Sequence, residues 1–267
     1  MHDIVWTVAL MAAVGLVGSV LLSIVSRKLA IGEDERLTYL ISILPGANCG
    51  SCGYPGCAQY AKAMLADVPP NACTVGGDRV AEELAAFLGV EAVAVVQREA
   101  VVACQGSADH IDPQLTFKGV PSCRVFSTLF YSSLSCPFGC LGFGDCAEAC
   151  PFDAIRVENG VARIDTRACT GCGSCEHICP RGLISLADQR DTPTICTVTC
   201  KNPMTGKKTR EVCSVGCIGC RKCEKACPED AVAVKDNLAR IDPAKCTGCG
   251  ACKEACPTGS IDELVFR

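Results

Sequence analysis

The sequence predicts an α+β chain in three parts: one N-terminal transmembrane helix, a small helical cysteine module, and two tandem copies of a cysteine-rich domain. Three observations predict it. Residues 4–25 carry no charge. Four cysteines fall within residues 49–73. From Cys136 onward the chain matches itself at a shift of 77 residues, and self-similarity at a fixed period marks tandem copies of one structural unit.

The apolar run IVWTVALMAAVGLVGSVLLSIV, Ile4 to Val25, has 22 residues. At about 1.5 Å of rise per residue it spans a hydrocarbon core of roughly 30 Å. A signal peptide carries basic residues before its apolar run, whereas this chain starts Met1-His2-Asp3 and places Arg27 and Lys28 after it. A buried core helix would be shorter and less uniformly apolar. Basic residues stay on the cytoplasmic side. The expectation is a single-pass anchor over residues 1–28 in the cell (inner) membrane, with the N-terminus outside and all later domains cytoplasmic. A reducing cytoplasm also suits unpaired thiols.

Cysteine decides the chemistry. The 267 residues include 25 cysteines, a content that means a disulfide scaffold or a metal protein. Disulfide scaffolds are short, and here the cysteines come in tight groups of four at repeated spacings, so metal is the better reading. A net charge of -4 and a pI near 5.5, with no long basic run, argue against a nucleic-acid partner. Aromatic residues make up 5%, too few for a large conventional core. The chain is therefore organised around its metal sites, whose assembly is coupled to folding.

Residues 33–90 read as the helical module. Residues 33–44 form a short amphipathic helix stopped by Pro45-Gly46, and its cysteines follow as Cys49-x2-Cys52-x4-Cys57-x15-Cys73. Asp78 to Leu88 reads as a helix with Ala81, Leu84, Ala85 and Leu88 on one face and Gly89 as its stop. Residues 91–131 are a connector: Val93 to Ala103 fits a strand or a helix end equally, and Pro113, Gly119 and Pro121 break the rest. The repeated domains are expected over 132–190 and 213–267, joined by a linker over 191–212.

The 77-residue shift carries Cys140, Cys146 and Cys150-Pro151 onto Cys217, Cys223 and Cys227-Pro228, and Cys169, Cys172, Cys175 and Cys179 onto Cys246, Cys249, Cys252 and Cys256. VARIDTRACTGCGSC lies on LARIDPAKCTGCGAC without a gap. Upstream, Cys136 falls on Cys213 and Cys123 on Cys200. The second copy holds C-x2-C-x2-C-x3-C-P complete, with Cys220 at its middle position. The first copy has Phe143 there and keeps Cys136 four residues before Cys140.

A [4Fe-4S] cube takes one thiolate per iron. In C-x2-C-x2-C-x3-C-P the loop supplies three, and the cysteine before proline ligates the other cluster of a pair. The sets are then Cys217, Cys220, Cys223 with Cys256, and Cys246, Cys249, Cys252 with Cys227. In the first copy they are Cys169, Cys172, Cys175 with Cys150, and Cys140, Cys146, Cys179 with Cys136 standing in for the missing thiol. Pro151, Pro180, Pro228 and Pro257 turn the chain after each exchanged ligand. Tetrahedral zinc uses pairs of C-x2-C spaced well apart and fits these motifs poorly. For Cys49, Cys52, Cys57 and Cys73, spacing alone leaves zinc and a cube both open. Cys104, Cys123, Cys196, Cys200 and Cys213 remain. Four of them could bind a sixth cube, but their spacings match no template, and they read as buried thiols near clusters.

Little else carries chemistry. His2 and His110 stand apart from the cysteine motifs, and His177 lies in a cluster loop as a solvated residue or a tuning hydrogen-bond donor. No G-x-G-x-x-G or P-loop sits between a strand and a helix, so no nucleotide or flavin site is expected. KNPMTGKKTR, Lys201 to Arg210, is a basic loop: a solvated turn, or a docking patch for an acidic electron carrier.

The anchor, LPGANCGSCGYPGCAQYA with Cys73, GCLGFGDCAEACPFDAI, CSVGCIGCRKCEKACP and CTGCGACKEACPTGSI together resemble the RnfB family, the iron-sulfur subunits of Rnf electron-transport complexes, over essentially the whole chain. The first module also resembles the four-cysteine domain of corrinoid iron-sulfur proteins, which moves it from zinc to [4Fe-4S]. The resemblance implies two tandem two-cluster (bacterial-type) ferredoxin domains and five [4Fe-4S] clusters in all, a sixth not being excluded. It also implies a membrane complex that moves electrons between ferredoxin and NAD and couples this to Na+ or H+ translocation. The partners would be the other Rnf subunits, soluble ferredoxin and the membrane, and no catalytic residue would sit on this chain. An Rsx-type subunit that reduces a redox-sensing transcription factor shares these features. A ferredoxin-like hydrogenase or dehydrogenase subunit would lack the anchor and the Cys49 module.

Overall fold

A computed structural model of the protein describes residues 2–29, 34–110, 119–130, 136–189 and 192–266. Contacts divide the chain into two units, residues 1–40 and 41–267. The first is dominated by helix α1 (His2–Leu29). Its stretch Ile4–Val25 has mean hydropathy 2.5 and is long and apolar enough to cross a membrane. A helix is one of the few structures that satisfy every backbone polar group in lipid. Helix α2 (Glu35–Ile43) starts behind Asp34, whose carboxylate accepts the Arg36 N–H at 3.0 Å. The expected start of this helix at residue 33 lies outside the described residues.

In the second unit, helix α3 (Cys57–Met64) and helix α4 (Gly77–Leu88) frame the first cysteine module. Val80, Ala81, Leu84 and Ala85 form the buried stripe of α4. Gly89, at φ 71°, ends the helix in the left-handed conformation that glycine adopts without strain. Leu88 is only half-buried.

The rest is two copies of one small α+β unit. The first comprises strand β1 (Arg98–Val102), helix α5 (Cys123–Leu129), the short helix α6 (Asp145–Glu148), strands β2 (Ile155–Glu158) and β3 (Val161–Ile164), helix α7 (Ser174–Ile178) and strand β4 (Ile184–Asp188). The second comprises β5 (Thr194–Val198), α8 (Gly206–Val212), α9 (Lys222–Ala226), β6 (Val232–Lys235), β7 (Leu238–Ile241), α10 (Ala251–Glu254) and β8 (Ile261–Val265). Strands β2 and β3 form a tight hairpin through Asn159 (φ 48°) and Gly160 (φ 80°), and β6 and β7 do so through Asp236 (φ 50°) and Asn237 (φ 59°). Two successive positive φ values are what a two-residue hairpin turn matching the strand twist requires.

The other sheet in each copy joins its ends. Strand β1 pairs antiparallel with β4, with Ala100 opposite Leu186, and β5 pairs with β8, with Cys196 opposite Glu263. Residues 91–131 and 191–212, expected as connector and linker, thus each contribute a strand to a repeated unit. From α6 to β4 the copies keep the 77-residue offset, but β1 precedes β5 by 96 positions. The first copy is therefore longer by 19 residues between this strand and its first cluster loop. Each core is small: Ala100, Ile155, Ala162 and Ile184 pack around Cys146 and Cys175 in one, and Val232, Val234, Ala239 and Ile261 around Cys217, Cys223 and Cys252 in the other.

Candidate iron-sulfur centres

All 25 cysteines are free thiols, and most line cavities in groups of four. Cys49, Cys52, Cys57 and Cys73 surround about 340 Å³ together with Leu44, Pro45 and Tyr60. The loop wraps this space because Asn48, Gly50 and Gly53 all have positive φ. The Asn48 side-chain oxygen accepts the Cys57 N–H at 2.8 Å. Tyr60 hydroxyl donates to Pro69 O at 2.9 Å and accepts the Ala72 N–H at 3.1 Å, which ties the Cys73 segment to α3.

In the first repeated unit Cys150 joins Cys169, Cys172 and Cys175 around about 310 Å³, the grouping that exchange of the cysteine before proline predicts. In the second unit Cys217, Cys223 and Cys252 are buried in one cluster, with Cys227, Cys246 and Cys256 half-buried against it. Cys220 and Cys249 are exposed. One contact recurs four times: the sulfur before proline accepts a backbone N–H from four residues on. The pairs are Cys150 with Ala154 (3.4 Å), Cys179 with Leu183 (3.4 Å), Cys227 with Ala231 (3.3 Å) and Cys256 with Ser260 (3.3 Å). Each exchanged sulfur is therefore aimed by its own turn.

The site with Phe143 differs from expectation. Cys140, Cys146 and Cys179 line about 380 Å³, and the fourth thiol on that wall is Cys123. Cys136 lines another cavity, with Cys104, Cys200 and Cys213. The reason is local. Asp145 accepts the backbone N–H groups of Cys123 (2.7 Å) and Arg124 (3.1 Å) and the Ser122 hydroxyl (2.9 Å), which pins the start of α5 beside the cluster loop. Phe143 stacks on Phe126 of α5 at a centroid distance of 5.3 Å. The residue that replaced the cysteine thus holds the helix that brings another one. Asp145 is the sequence signal for this, since Lys222 occupies its position in the second copy.

Burial and neighbouring sulfurs make these thiols poor acids. Burial, then Cys169, Cys172 and Cys150, push Cys175 up to about 12. Burial, then Cys140, Cys123 and Cys179, push Cys146 up to about 11. Cys223 rises to about 11 through burial and then chiefly Cys217, Cys256 and Cys220. The sulfurs that repel one another are the members of each four-cysteine set. Cys256 is the exception: burial raises it, but hydrogen bonds from Thr258 and Ser260 outweigh that and lower it. Among the described residues no three ligands converge closely enough for a single ion. Four thiols ringing a cavity suit a polynuclear iron-sulfur group, which takes one thiolate per iron. Cys196 stands apart, its backbone N–H directed at Cys246 sulfur at 3.4 Å. His177 is exposed, as a solvated loop histidine would be.

Comparison with known proteins agrees. The family described as "Putative Fe-S cluster" matches residues 44–75, and two described as "4Fe-4S dicluster domain" match 134–180 and 216–260. Three relatives are the RnfB-type subunits of larger complexes. That of the Na(+)-translocating ferredoxin:NAD(+) oxidoreductase complex of Acetobacterium woodii is 37% identical over 91% of this chain and 72% of its own length. That of the ion-translocating oxidoreductase complex of Methanosarcina acetivorans is 40% identical over 90% of each chain. That of the proton-translocating ferredoxin:NAD(+) oxidoreductase complex of Clostridium ljungdahlii is 36% identical over 91% of this chain and 85% of its own. The chain belongs to the RnfB family. Within this RnfB-type chain the two dicluster matches bracket Cys140–Cys179 and Cys217–Cys256. Cys123 lies ahead of residue 134, so the domain match does not reach the thiol that faces Cys140, Cys146 and Cys179.

Proposed function

We propose that this chain is the cytoplasmic electron-transfer subunit of an Rnf complex, anchored by α1, taking electrons from reduced ferredoxin and relaying them toward NAD while the complex translocates Na+ or H+. The observation that carries the reading is the exchange of thiols across each repeated unit. Cys146 and Cys175 of one copy each feel a sulfur from beyond their own loop, Cys179 and Cys150 respectively. Clusters held in this way supply one-electron carriers at close spacing. The chain's own residues hold the ligands, exclude water and set the environment. The proposed sets are Cys49, Cys52, Cys57, Cys73; Cys123, Cys140, Cys146, Cys179; Cys150, Cys169, Cys172, Cys175; Cys217, Cys220, Cys223, Cys256; and Cys227, Cys246, Cys249, Cys252.

Ferredoxin docks on the second repeated unit in this reading. Lys201, Lys207, Lys208 and Arg210 are exposed there, a basic surface on an acidic chain that suits an acidic carrier. Electrons leave through the Cys49–Cys73 module, which follows the anchor in sequence. Arg27 and Lys28 keep these domains in the cytoplasm. The test is anaerobic: reduced ferredoxin mixed with the full chain in detergent should bleach its visible absorbance by several electrons per chain. Iron that is present but cannot be reduced would refute the proposal. Removing residues 1–28 should leave this reduction intact and abolish onward transfer to the membrane partners.

A further inference from the structure

We propose that Cys104, Cys136, Cys200 and Cys213 hold a sixth [4Fe-4S] cluster between the two repeated units. The inference rests on the reading that the other four-cysteine sets hold clusters. These four thiols line one cavity of about 330 Å³, within the range of 310 to 380 Å³ found for three cavities bounded by motif cysteines. The family matches over residues 44–75, 134–180 and 216–260 leave Cys104, Cys200 and Cys213 outside.

The four form two equivalent pairs. Cys104 stands two residues past the end of β1, and Cys200 two residues past the end of β5. Cys104 sulfur accepts the Cys140 N–H at 3.4 Å, and the backbone at Cys217 bears on Cys200 in the same way. Cys136 and Cys213 precede Cys140 and Cys217 by four residues each. They are buried together, 6% and 7% exposed, against Phe138, Val212 and Val215. Each repeated unit thus gives one thiol from its outer strand and one from ahead of its first cluster loop.

The surroundings are those of a ligand set. Asn202, 1% exposed, points its amide Nδ2 at Cys136 sulfur at 3.8 Å, while its Oδ1 accepts the Met204 N–H at 2.9 Å. A buried amide aimed at a sulfur is the outer-shell donor a metal-bound thiolate takes. Thiols that merely filled a core would close on one another, because interiors pack without voids of this size. A single zinc ion would need ligands closer together than these. Cys104 and Cys200 each touch the backbone of a motif cysteine in their own unit, so the cluster bridges the two. One electron enters from a neighbouring reduced centre, which is oxidised by one, and leaves to the next, with no bond or proton transferred.

The test is iron and acid-labile sulfide per chain, with spin quantitation after reduction, on the full chain purified anaerobically in detergent. Six cubes give about 24 irons, five give about 20. Cys213→Ala and Cys104→Ala should each lose about four irons, or about one with the signal of a three-iron cluster. Cys196→Ala, buried but off this cavity, should lose none. Asn202→Leu should keep the iron and move one reduction step to lower potential, because a hydrogen bond to the cluster sulfur is gone. About 20 reducible irons in the wild type, unchanged in Cys213→Ala, would overturn the sixth cluster and leave the proposed function standing. No reducible iron at all would overturn both. Should Cys213→Ala lose every cluster by misfolding, the wild-type count alone decides between 24 and 20, each taken as about that value.

Discussion

Gly248 sits between Cys246 and Cys249, and replacing it with alanine tests how closely a cluster loop is fitted to its edge strand. Its φ is +71°, and an added Cβ would run into the Thr194 carbonyl, 2.9 Å from its carbon, at the start of β5. Holding an alanine in the left-handed region costs about 1–2 kcal/mol. The collision is with backbone, so β5 must move and give up one or two ladder bonds to β8, at about 0.5–1.5 kcal/mol each. The sum is about 3 kcal/mol. Gly259 is the control: its φ is +64°, yet nothing lies within 4 Å of its Cβ position, so Gly259→Ala carries only the conformational cost of about 1 kcal/mol. Iron release to a chelator under anaerobic conditions measures the difference. At 1.36 kcal/mol per tenfold, Gly248→Ala should accelerate release by on the order of 100-fold and Gly259→Ala by roughly 5-fold. Equal rates for the two variants would refute the steric argument. Gly171, whose Cβ would meet the Arg98 carbonyl of β1, should behave like Gly248.

Cys123→Ala should remove about four irons, or about one with formation of a three-iron cluster, whereas Cys136→Ala should leave the Phe143-site spectrum intact; iron analysis with electron paramagnetic resonance separates them. Asp145→Ala should make that same cluster labile, since it frees the start of α5. Burial raises the Asp145 carboxyl, but the Cys123 and Arg124 amides and the Ser122 hydroxyl outweigh it and hold the group below its ordinary 3.8. Its stabilisation is therefore present above that value and lost only as pH falls through the lower folded one. The variant's penalty in chelator release should accordingly stay constant between about pH 5 and 8, and a penalty fading within that window would contradict the assignment. Reversing Lys207 and Lys208 to glutamate should raise KM for ferredoxin about 10-fold at low salt and less at high salt, with kcat little changed, as expected for a steering surface; steady-state kinetics across ionic strength checks it.

The thiol sets built on complete motifs were legible from spacing, because a loop that wraps a cube fixes its three near ligands locally and the following proline marks the exchanged one. Each thiol supplied from outside a motif was not. Cys123 lies 23 residues before Cys146 and reaches it only because Asp145 and Phe143 dock α5. Cys136, the nearer spare in sequence, faces away toward Cys213. The strand β1 escaped the repeat because the first copy carries 19 extra residues, so the 77-residue shift set Cys200 against Cys123 while the fold sets it against Cys104. Sequence shift compares positions along the chain, and sheet pairing compares ends of the folded unit.

The two copies present different faces to oxygen. Cys220 and Cys249 are open to solvent, whereas their counterparts in the first copy are Phe143, stacked under α5, and the buried Cys172. Duplication has left one ferredoxin unit with bare sulfur at the surface, where an external protein can come within electron-transfer range, and has shielded the other. The same bareness admits dioxygen. On exposure to air the second unit should lose its colour first, so the end of the wire that meets diffusing partners is also the end that sets the chain's lifetime outside an anaerobic cell.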